Sequence, residues 1–97
     1  MAAIDKLIHE PSRLRIMAAL MALDSDAEVD FAFLRDRLGF TDGNLGAHLE
    51  KLQGAKYLKA RKTFVGRKPR TYLSLTKTGR RAFEDHVETL REIIEPK

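Results

Sequence analysis

The three histidines of this chain have the widest chemical repertoire of its side chains, but their spacing does not suit a shared site. His9, His48 and His86 lie far apart in sequence, and the chain has no cysteine. A metal site would therefore have to assemble between subunits. There is no nucleophile with a paired base, no GxGxxG and no P-loop. The sequence predicts no enzyme, no metal and no cofactor.

A second group of chemically active side chains is cationic and lies in the stretch RKTFVGRKPRTYLSL, from Arg61 to Leu75. Residues 51–83 carry eleven Lys or Arg and no Asp or Glu, whereas the whole chain has a formal net charge of only +4. Apolar side chains interleave with these cations, which indicates a folded, half-buried segment. They are Tyr57, Leu58, Phe64, Tyr72 and Leu73. A folded basic face predicts a polyanionic partner.

Length and composition limit the scaffold that can present this face. The chain has 97 residues, 43% of them hydrophobic, which suits one small domain over residues 1–97. The longest apolar run, Met17 to Leu23, is too short to span a bilayer, and the N-terminus does not resemble a signal peptide. The expectation is a soluble, cytoplasmic, non-exported protein without disulfides.

Helical spacing places three helices ahead of the basic stretch. Pro11 opens a helix that we expect to reach about Leu23, and the following DSDAEVD predicts a loop. Asp30 is a plausible N-cap for a second helix that ends at Gly39, and Thr41 can cap a third. The third helix has a buried stripe at i, i+4, i+7, namely Leu45, Leu49 and Leu52. Two short helices joined by a tight glycine-containing turn predict a helix-turn-helix.

The outward face of the third helix is small and polar. It carries Gly43, Asn44, Ala47 and Lys51, with His48 at its margin. Glycine at 43 and 46 costs an isolated helix about 1 kcal/mol each relative to alanine. Two explanations remain open, namely loose packing or fraying of the first turn, and close approach to another backbone.

After QGAKY the pattern alternates, which predicts a β-hairpin. We expect its turn in VGRKPR, with Gly66 at a positive φ and Pro69 at the tip. Thr76 or Thr78 then starts a last helix, whose apolar stripe is Phe83, Val87, Leu90 and Ile94. This stripe has no further helix to cover it, and the apolar cluster Ile4, Leu7 and Ile8 could pack on a partner as well.

The ordered set of elements resembles the compact winged helix-turn-helix transcriptional regulators of the MarR and ArsR type, which are typical of prokaryotes. The resemblance rests on PSRLRIMAAL, FAFLRDRLGFTDGNLGAHLEKLQGAKYLKARKTF and GRKPRTYLSLTKTGRRAF. It implies an α+β, mainly helical fold with the helix-turn-helix at about 30–53. A two-stranded basic wing is implied at about 57–75, and a C-terminal dimerisation helix at about 76–95.

The resemblance also implies a function: a homodimer that binds double-stranded DNA at a two-fold symmetric operator, with the third helix in the major groove and the wing on the backbone or minor groove. The recognition-helix residues implied are Thr41, Asn44, Ala47, His48 and Lys51. Those implied in the wing are Arg61, Lys62, Arg67, Lys68 and Arg70. The expected dimer contacts are Ile4, Leu7, Ile8, Val87, Leu90 and Ile94.

Two further interpretations concern a metal and a different partner. Asp85 beside His86 is similar to part of the metal site on the terminal helix of some ArsR-type sensors, but the second histidine is missing, so a solvated His86 is expected. The alternative function is a winged-helix module for protein interaction or RNA binding. The tip sequence Gly-Arg-Lys-Pro-Arg favours phosphates over a protein partner.

Overall fold

The computed structural model describes residues 4–96 and shows five helices and three strands in that span. In chain order they are α1 (Lys6–His9), α2 (Pro11–Met21), β1 (Val29–Asp30), α3 (Phe31–Leu38), α4 (Asp42–Gly54), β2 (Leu58–Val65), β3 (Lys68–Leu75) and α5 (Lys77–Ile94). The predicted helix-turn-helix is α3 and α4, and the wing is β2 and β3. None of the described helices is long and apolar enough to cross a membrane.

The helix ends follow the capping pattern of the sequence. The Thr41 hydroxyl accepts the Asn44 amide at 3.1 Å at the start of α4, and the Thr76 hydroxyl accepts the Gly79 amide at 2.9 Å at the start of α5. Asp30 caps α3, which ends at Gly39 with φ of 76°. These predicted caps are confirmed, and they fix the tight turn between α3 and α4.

The sheet is antiparallel and has the order β1-β3-β2. β1 is a correction to the predicted loop: Val29 pairs with Leu73, and Asp30 pairs with Tyr72. Pro69 is a second correction, because it lies inside β3 opposite Phe64, and the turn is formed by Gly66 and Arg67. Proline, which has no backbone N–H, is tolerated there because its nitrogen can face solvent at the outer end of the ribbon and is not needed for a hydrogen bond between strands.

The core lies between the helices and the inner half of the sheet. It contains the leucine stripe of α4 together with buried residues of α2, α3 and the strands, among them Ile16, Met17, Leu20, Leu34, Leu58, Leu73 and Leu75. Ile8 of α1 is also part of this core and is 0% exposed. α1 therefore packs on its own chain.

α5 turns an unexpected face toward the core. Its buried residues are Gly79, His86 and Thr89, whereas Val87 and Leu90 are half-buried and Ile94 is 73% exposed. With a rotation of 100° per residue around the helix axis, the apolar stripe of α5 lies about 90° away from the buried residues. Phe83 packs against the core, but the rest of the stripe faces partly outward.

The expectation of a solvated His86 is wrong, because α1 covers it. His86 is 1% exposed, and its Nε2 lies 3.4 Å from Nδ1 of His9. Burial, with the neighbouring His9, lowers the pKa of His86. Beside this pair the Tyr57 hydroxyl donates to Asp5 Oδ2 at 2.7 Å, which raises the pKa of Tyr57 to about 12. Sequence distance hid both contacts, since they join residues 77 and 52 positions apart.

Candidate nucleic-acid interface

α4 presents an uncovered outer face. Its leucine stripe is buried, whereas Thr41, Asn44, Ala47 and Lys51 are exposed. The Thr41 oxygen accepts a backbone amide, so its hydroxyl hydrogen stays available to a phosphate. The Asn44 side chain can donate and accept on one base edge. Four of the five predicted recognition-helix residues thus share one accessible surface.

His48, the fifth predicted residue, faces inward. Its Nδ1 lies 3.2 Å from Nη1 of Arg13 and 3.7 Å from Oε2 of Glu10, at the start of α2. Its ring also lies 6.0 Å from that of Phe40. His48 therefore connects α4 to α2. The sequence did not reveal the contacts of His48 with Arg13 and Glu10, because these residues lie more than 30 positions away.

Asp42 brings a negative charge to the first turn of α4, where a carboxylate is favoured by the helix dipole. It also accepts a hydrogen bond from Nη1 of Arg35 at 2.7 Å, and Arg35 contacts Asp36 through Nε at 2.9 Å. This ion pair joins α3 to α4 across the turn. It also lowers the repulsion that an unpaired Asp42 would exert on a phosphate.

At the base of the wing, Arg61 is held by the loop before β1. Its guanidinium donates to both carboxylate oxygens of Glu28, with Nη2 to Oε1 at 2.9 Å and Nε to Oε2 at 3.0 Å. It also lies over the Tyr72 ring, 4.7 Å from the centroid. Arg61 keeps the pKa of Glu28 below its usual range. We therefore regard Arg61 as a contact that fixes the wing to the domain, since its charge is already paired.

The outer wing holds the remaining predicted cations. Lys62, Arg67, Lys68 and Arg70 are exposed, and among residues 4–96 no carboxylate forms an ion pair with them. Two apolar side chains accompany them, since Phe64 is 70% exposed and Val65 is 49% exposed. The expectation of a half-buried Phe64 is wrong, because the ribbon extends beyond the core at this point.

The two glycines of α4 have open surroundings. A Cβ placed on Gly43 or Gly46 would meet nothing within 4 Å, apart from neighbouring atoms of its own helix. Within the described chain, therefore, no close approach explains either glycine. A cleft between α4 and the sheet lies beside Gly46, Leu49 and Gln53, opposite Ala60 and Lys62. α4 and the inner face of the wing thus line one cleft.

The predicted dimer contacts fall into two groups. Ile8 is fully buried in its own chain, so it is a core residue and not a surface for a partner. Ile4 is exposed, and Leu7 is half-buried against the core. The other three, Val87, Leu90 and Ile94, lie together on the outward stripe of α5. Val87 also lines a groove with Met21, Phe83 and Glu88.

No group of three or more His, Cys, Asp or Glu side chains that could hold a metal ion is found within residues 4–96.

Several known proteins resemble this chain in sequence or in fold. An uncharacterised protein of Methanocaldococcus jannaschii is 28% identical over 88 residues, which cover 91% of this chain and 92% of that protein. A transcriptional regulator homologue from Pyrococcus horikoshii OT3 is 27% identical, with a TM-score of 0.83 over 92% of this chain and 85% of that one. A candidate regulator of the MarR family from Porphyromonas gingivalis W83 has the same fold, with a TM-score of 0.57 and 18% identity over 100% of both chains.

The family model of the winged helix DNA-binding domain matches residues 12–94, from the second residue of α2 to the last residue of α5. The predicted winged-helix architecture and the predicted MarR-like resemblance are confirmed by these matches, and the chain belongs to the winged helix DNA-binding domain family.

Proposed function

We propose that this protein is a transcriptional regulator that binds double-stranded DNA sequence-specifically as a homodimer. The observation that carries the proposal is the uncovered outer face of α4 beside a cationic wing. An α-helix of this width fits the major groove, and a wing at its side can reach the adjacent backbone or minor groove.

Within the interface we assign sequence choice to α4. Asn44 is exposed on its first turn and can form a bidentate contact with an adenine edge, while Ala47 can contact a thymine methyl group. Thr41 and Lys51 contact phosphates at the two ends of this face. His48 acts indirectly, because its contacts with Arg13 and Glu10 fix the orientation of α4 on α2.

Affinity is assigned to the wing. Arg67, Lys68 and Arg70 neutralise phosphates and release counterions, which depends on salt and hardly on sequence. The Arg61 contact with Glu28 holds the base of the ribbon, so the tip cations are presented from a fixed direction.

The homodimer proposal is supported by the orientation of α5. This helix packs His86 and Thr89 inward and leaves Val87, Leu90 and Ile94 on the outside. A second copy of the chain that covers the apolar stripe would explain why α5 buries polar residues and leaves the stripe accessible. A two-fold symmetric dimer then presents two copies of α4 to two half-sites of an operator.

Selection of bound sequences from a random duplex pool tests the function directly. We expect a two-fold symmetric consensus. Replacement of Asn44 by alanine should then weaken cognate binding by about 1–3 kcal/mol and leave scrambled duplex almost unchanged. Replacement of Arg67 and Lys68 by alanine should weaken both duplexes alike and flatten the salt slope by up to about 0.9 for each phosphate that is no longer neutralised.

Two results contradict this division of labour. An Asn44→Ala protein with unchanged specificity would remove α4 from base readout. A wing variant that loses discrimination would instead indicate that Arg67 reads the width of the minor groove. Absence of any enriched sequence would favour the alternative function, a protein-interaction or RNA-binding module, for which the exposed Phe64 and Val65 offer apolar contacts.

Sedimentation tests the dimer. Leu90→Glu combined with Ile94→Glu should convert a dimer at micromolar concentration to a monomer, because two carboxylates would enter the apolar interface. Arg81→Glu is a matched control, since it changes the net charge equally on the opposite side of α5. A wild-type protein that is already monomeric at this concentration would refute the proposed interface.

A further inference from the structure

The outer wing carries an exposed apolar pair, Phe64 and Pro69. These two residues are direct partners in the β2 and β3 register, so their side chains lie on the same face of the ribbon. Phe64 is 70% exposed. Its burial therefore contributes little to the stability of the domain, and a role within the fold does not explain a large aromatic side chain here.

The register also shows which face carries the pair. The cross-strand pairs Leu58 with Leu75, Ala60 with Leu73, and Phe64 with Pro69 are separated by even numbers of residues along each strand, so they share one face. The inner pairs of this face pack against the core. Phe64 and Pro69 therefore point to the side of the sheet that α4 occupies, farther out along the ribbon.

Two clefts connect this face to the helix-turn-helix. One lies between the Gly46 side of α4 and the sheet residues Ala60 and Lys62. The other lies between the start of α3, at Phe31 and Ala32, and the strand residues Pro69 and Arg70. A duplex that contacts the outer face of α4 thus approaches the wing from the Phe64 side, and the long side chains of Lys68 and Arg70 can reach phosphates around the edge of the ribbon.

Charge around the pair identifies the chemistry of its partner. Lys62 lies on the same face as the pair, and Arg67 lies in the turn just beyond it. Lys68 and Arg70 flank Pro69 along β3 and start from the opposite face of the ribbon. Among residues 4–96 no carboxylate forms an ion pair with these four cations. Lysine is depleted from the cores of protein interfaces, whereas an exposed apolar side chain on a ribbon with cations on both faces suits a nucleic-acid groove with phosphates at its rims. Phenylalanine and proline are among the side chains that proteins insert between base steps from the minor groove.

We propose that Phe64, supported by Pro69, is a wedge that enters the minor groove next to the α4 contact, unstacks one base step and kinks the duplex. This inference rests on the proposed function and extends it to a named contact and a DNA deformation. Because pyrimidine–purine steps unstack most easily, the wedge adds a sequence preference at a position where no hydrogen bond reads a base.

The test uses the duplex recovered by selection, with a fluorophore at each end, and measures energy transfer and affinity together. The wild-type complex should show a bend of about 20–90°. Phe64→Ala should abolish most of this bend and bind about tenfold more weakly, which corresponds to removal of one base–aromatic stacking interaction. Its salt slope should stay unchanged because every phosphate contact is retained.

Two variants control the experiment. Phe64→Leu keeps an apolar wedge and should keep most of the bend. Val65→Ala removes an exposed apolar side chain from the opposite face of the same strand and should change neither the bend nor the affinity.

The two ways in which the experiment can fail are distinguishable. If the wild-type protein selects no duplex, both the proposed function and the wedge are overturned. If it binds its duplex but Phe64→Ala leaves the bend unchanged, or if Val65→Ala has the same effect as Phe64→Ala, the wedge alone is overturned and the function stands.

Discussion

Replacement of Gly79 by alanine tests how α5 is attached to the sheet. A Cβ at Gly79 would lie 2.0 Å from the carbonyl oxygen of Tyr57 and 2.8 Å from its carbonyl carbon. Both partners are backbone atoms, so no side chain can move aside. The same carbonyl accepts the Thr76 amide at 3.0 Å, and the Thr76 hydroxyl donates to the Lys56 carbonyl at 2.7 Å.

The magnitude follows from these distances. A carbon–oxygen contact of about 3.3 Å requires a shift of about 1.3 Å, which overpacking data place at about 1–3 kcal/mol. The shift also breaks two hydrogen bonds, at about 1 kcal/mol each. We expect the free energy of unfolding to fall by about 3–5 kcal/mol, and the melting temperature by at least about 12 °C.

Thermal and urea unfolding followed by circular dichroism measure this decrease. Gly46→Ala is the matched control, because it adds the same methyl group to a helix position where no atom outside the neighbouring backbone lies within 4 Å. This replacement should stabilise the protein by up to about 1 kcal/mol. A Gly79→Ala protein that melts with the wild type would refute the close approach of α5 to Tyr57.

Three further predictions concern the N-terminal contacts and the end of α4. Folding lowers the pKa of His86, so the unfolded chain binds more protons than the folded one just below the usual histidine pKa of about 6.5. The free energy of unfolding should therefore fall as the pH drops through that value. In urea titrations, His86→Leu should lack this part of the decline. The raised pKa of Tyr57 acts in the opposite direction: its contribution is complete below about pH 10 and is lost as the pH rises toward 12. Tyr57→Phe should therefore cost about 1 kcal/mol at neutral pH and remove the alkaline decline, and an unchanged alkaline limb would contradict the Asp5 contact. Lys56 has a φ of 64°, which favours glycine, so Lys56→Gly should raise the melting temperature by several degrees, and a decrease would count against strain at this residue.

Local signals explain why much of the fold was predictable. The caps at Asp30, Thr41 and Thr76 act within three residues, and the leucine stripe of α4 repeats within two turns. The exposed face of α4 follows from that stripe, since the opposite side of a helix packed on one face must meet solvent. Four of the five expected recognition-helix positions therefore lie on the surface, as the periodicity predicts.

Contacts between distant residues explain the rest. β1 is only two residues long, and its pairing partner lies more than 40 residues later in β3. The inward turn of His48 depends on Arg13, and the fixed position of Arg61 depends on Glu28. The apolar stripe of α5 was visible in the sequence, but the burial of His86 depends on α1, which no periodicity in α5 reveals.

The pairing of β1 with β3 has a consequence for how this domain can vary. Residues 31–67 form a closed loop between the two paired strands, and this loop contains both helices of the helix-turn-helix. Removal of the hairpin would therefore open the ring that holds α3 and α4 in place. We expect the chain to tolerate insertions and deletions only beyond the last core pair, Ala60 with Leu73. Homologous domains should therefore differ in the length of the wing at its tip, and the strand pairs nearer the core should keep their spacing from Val29.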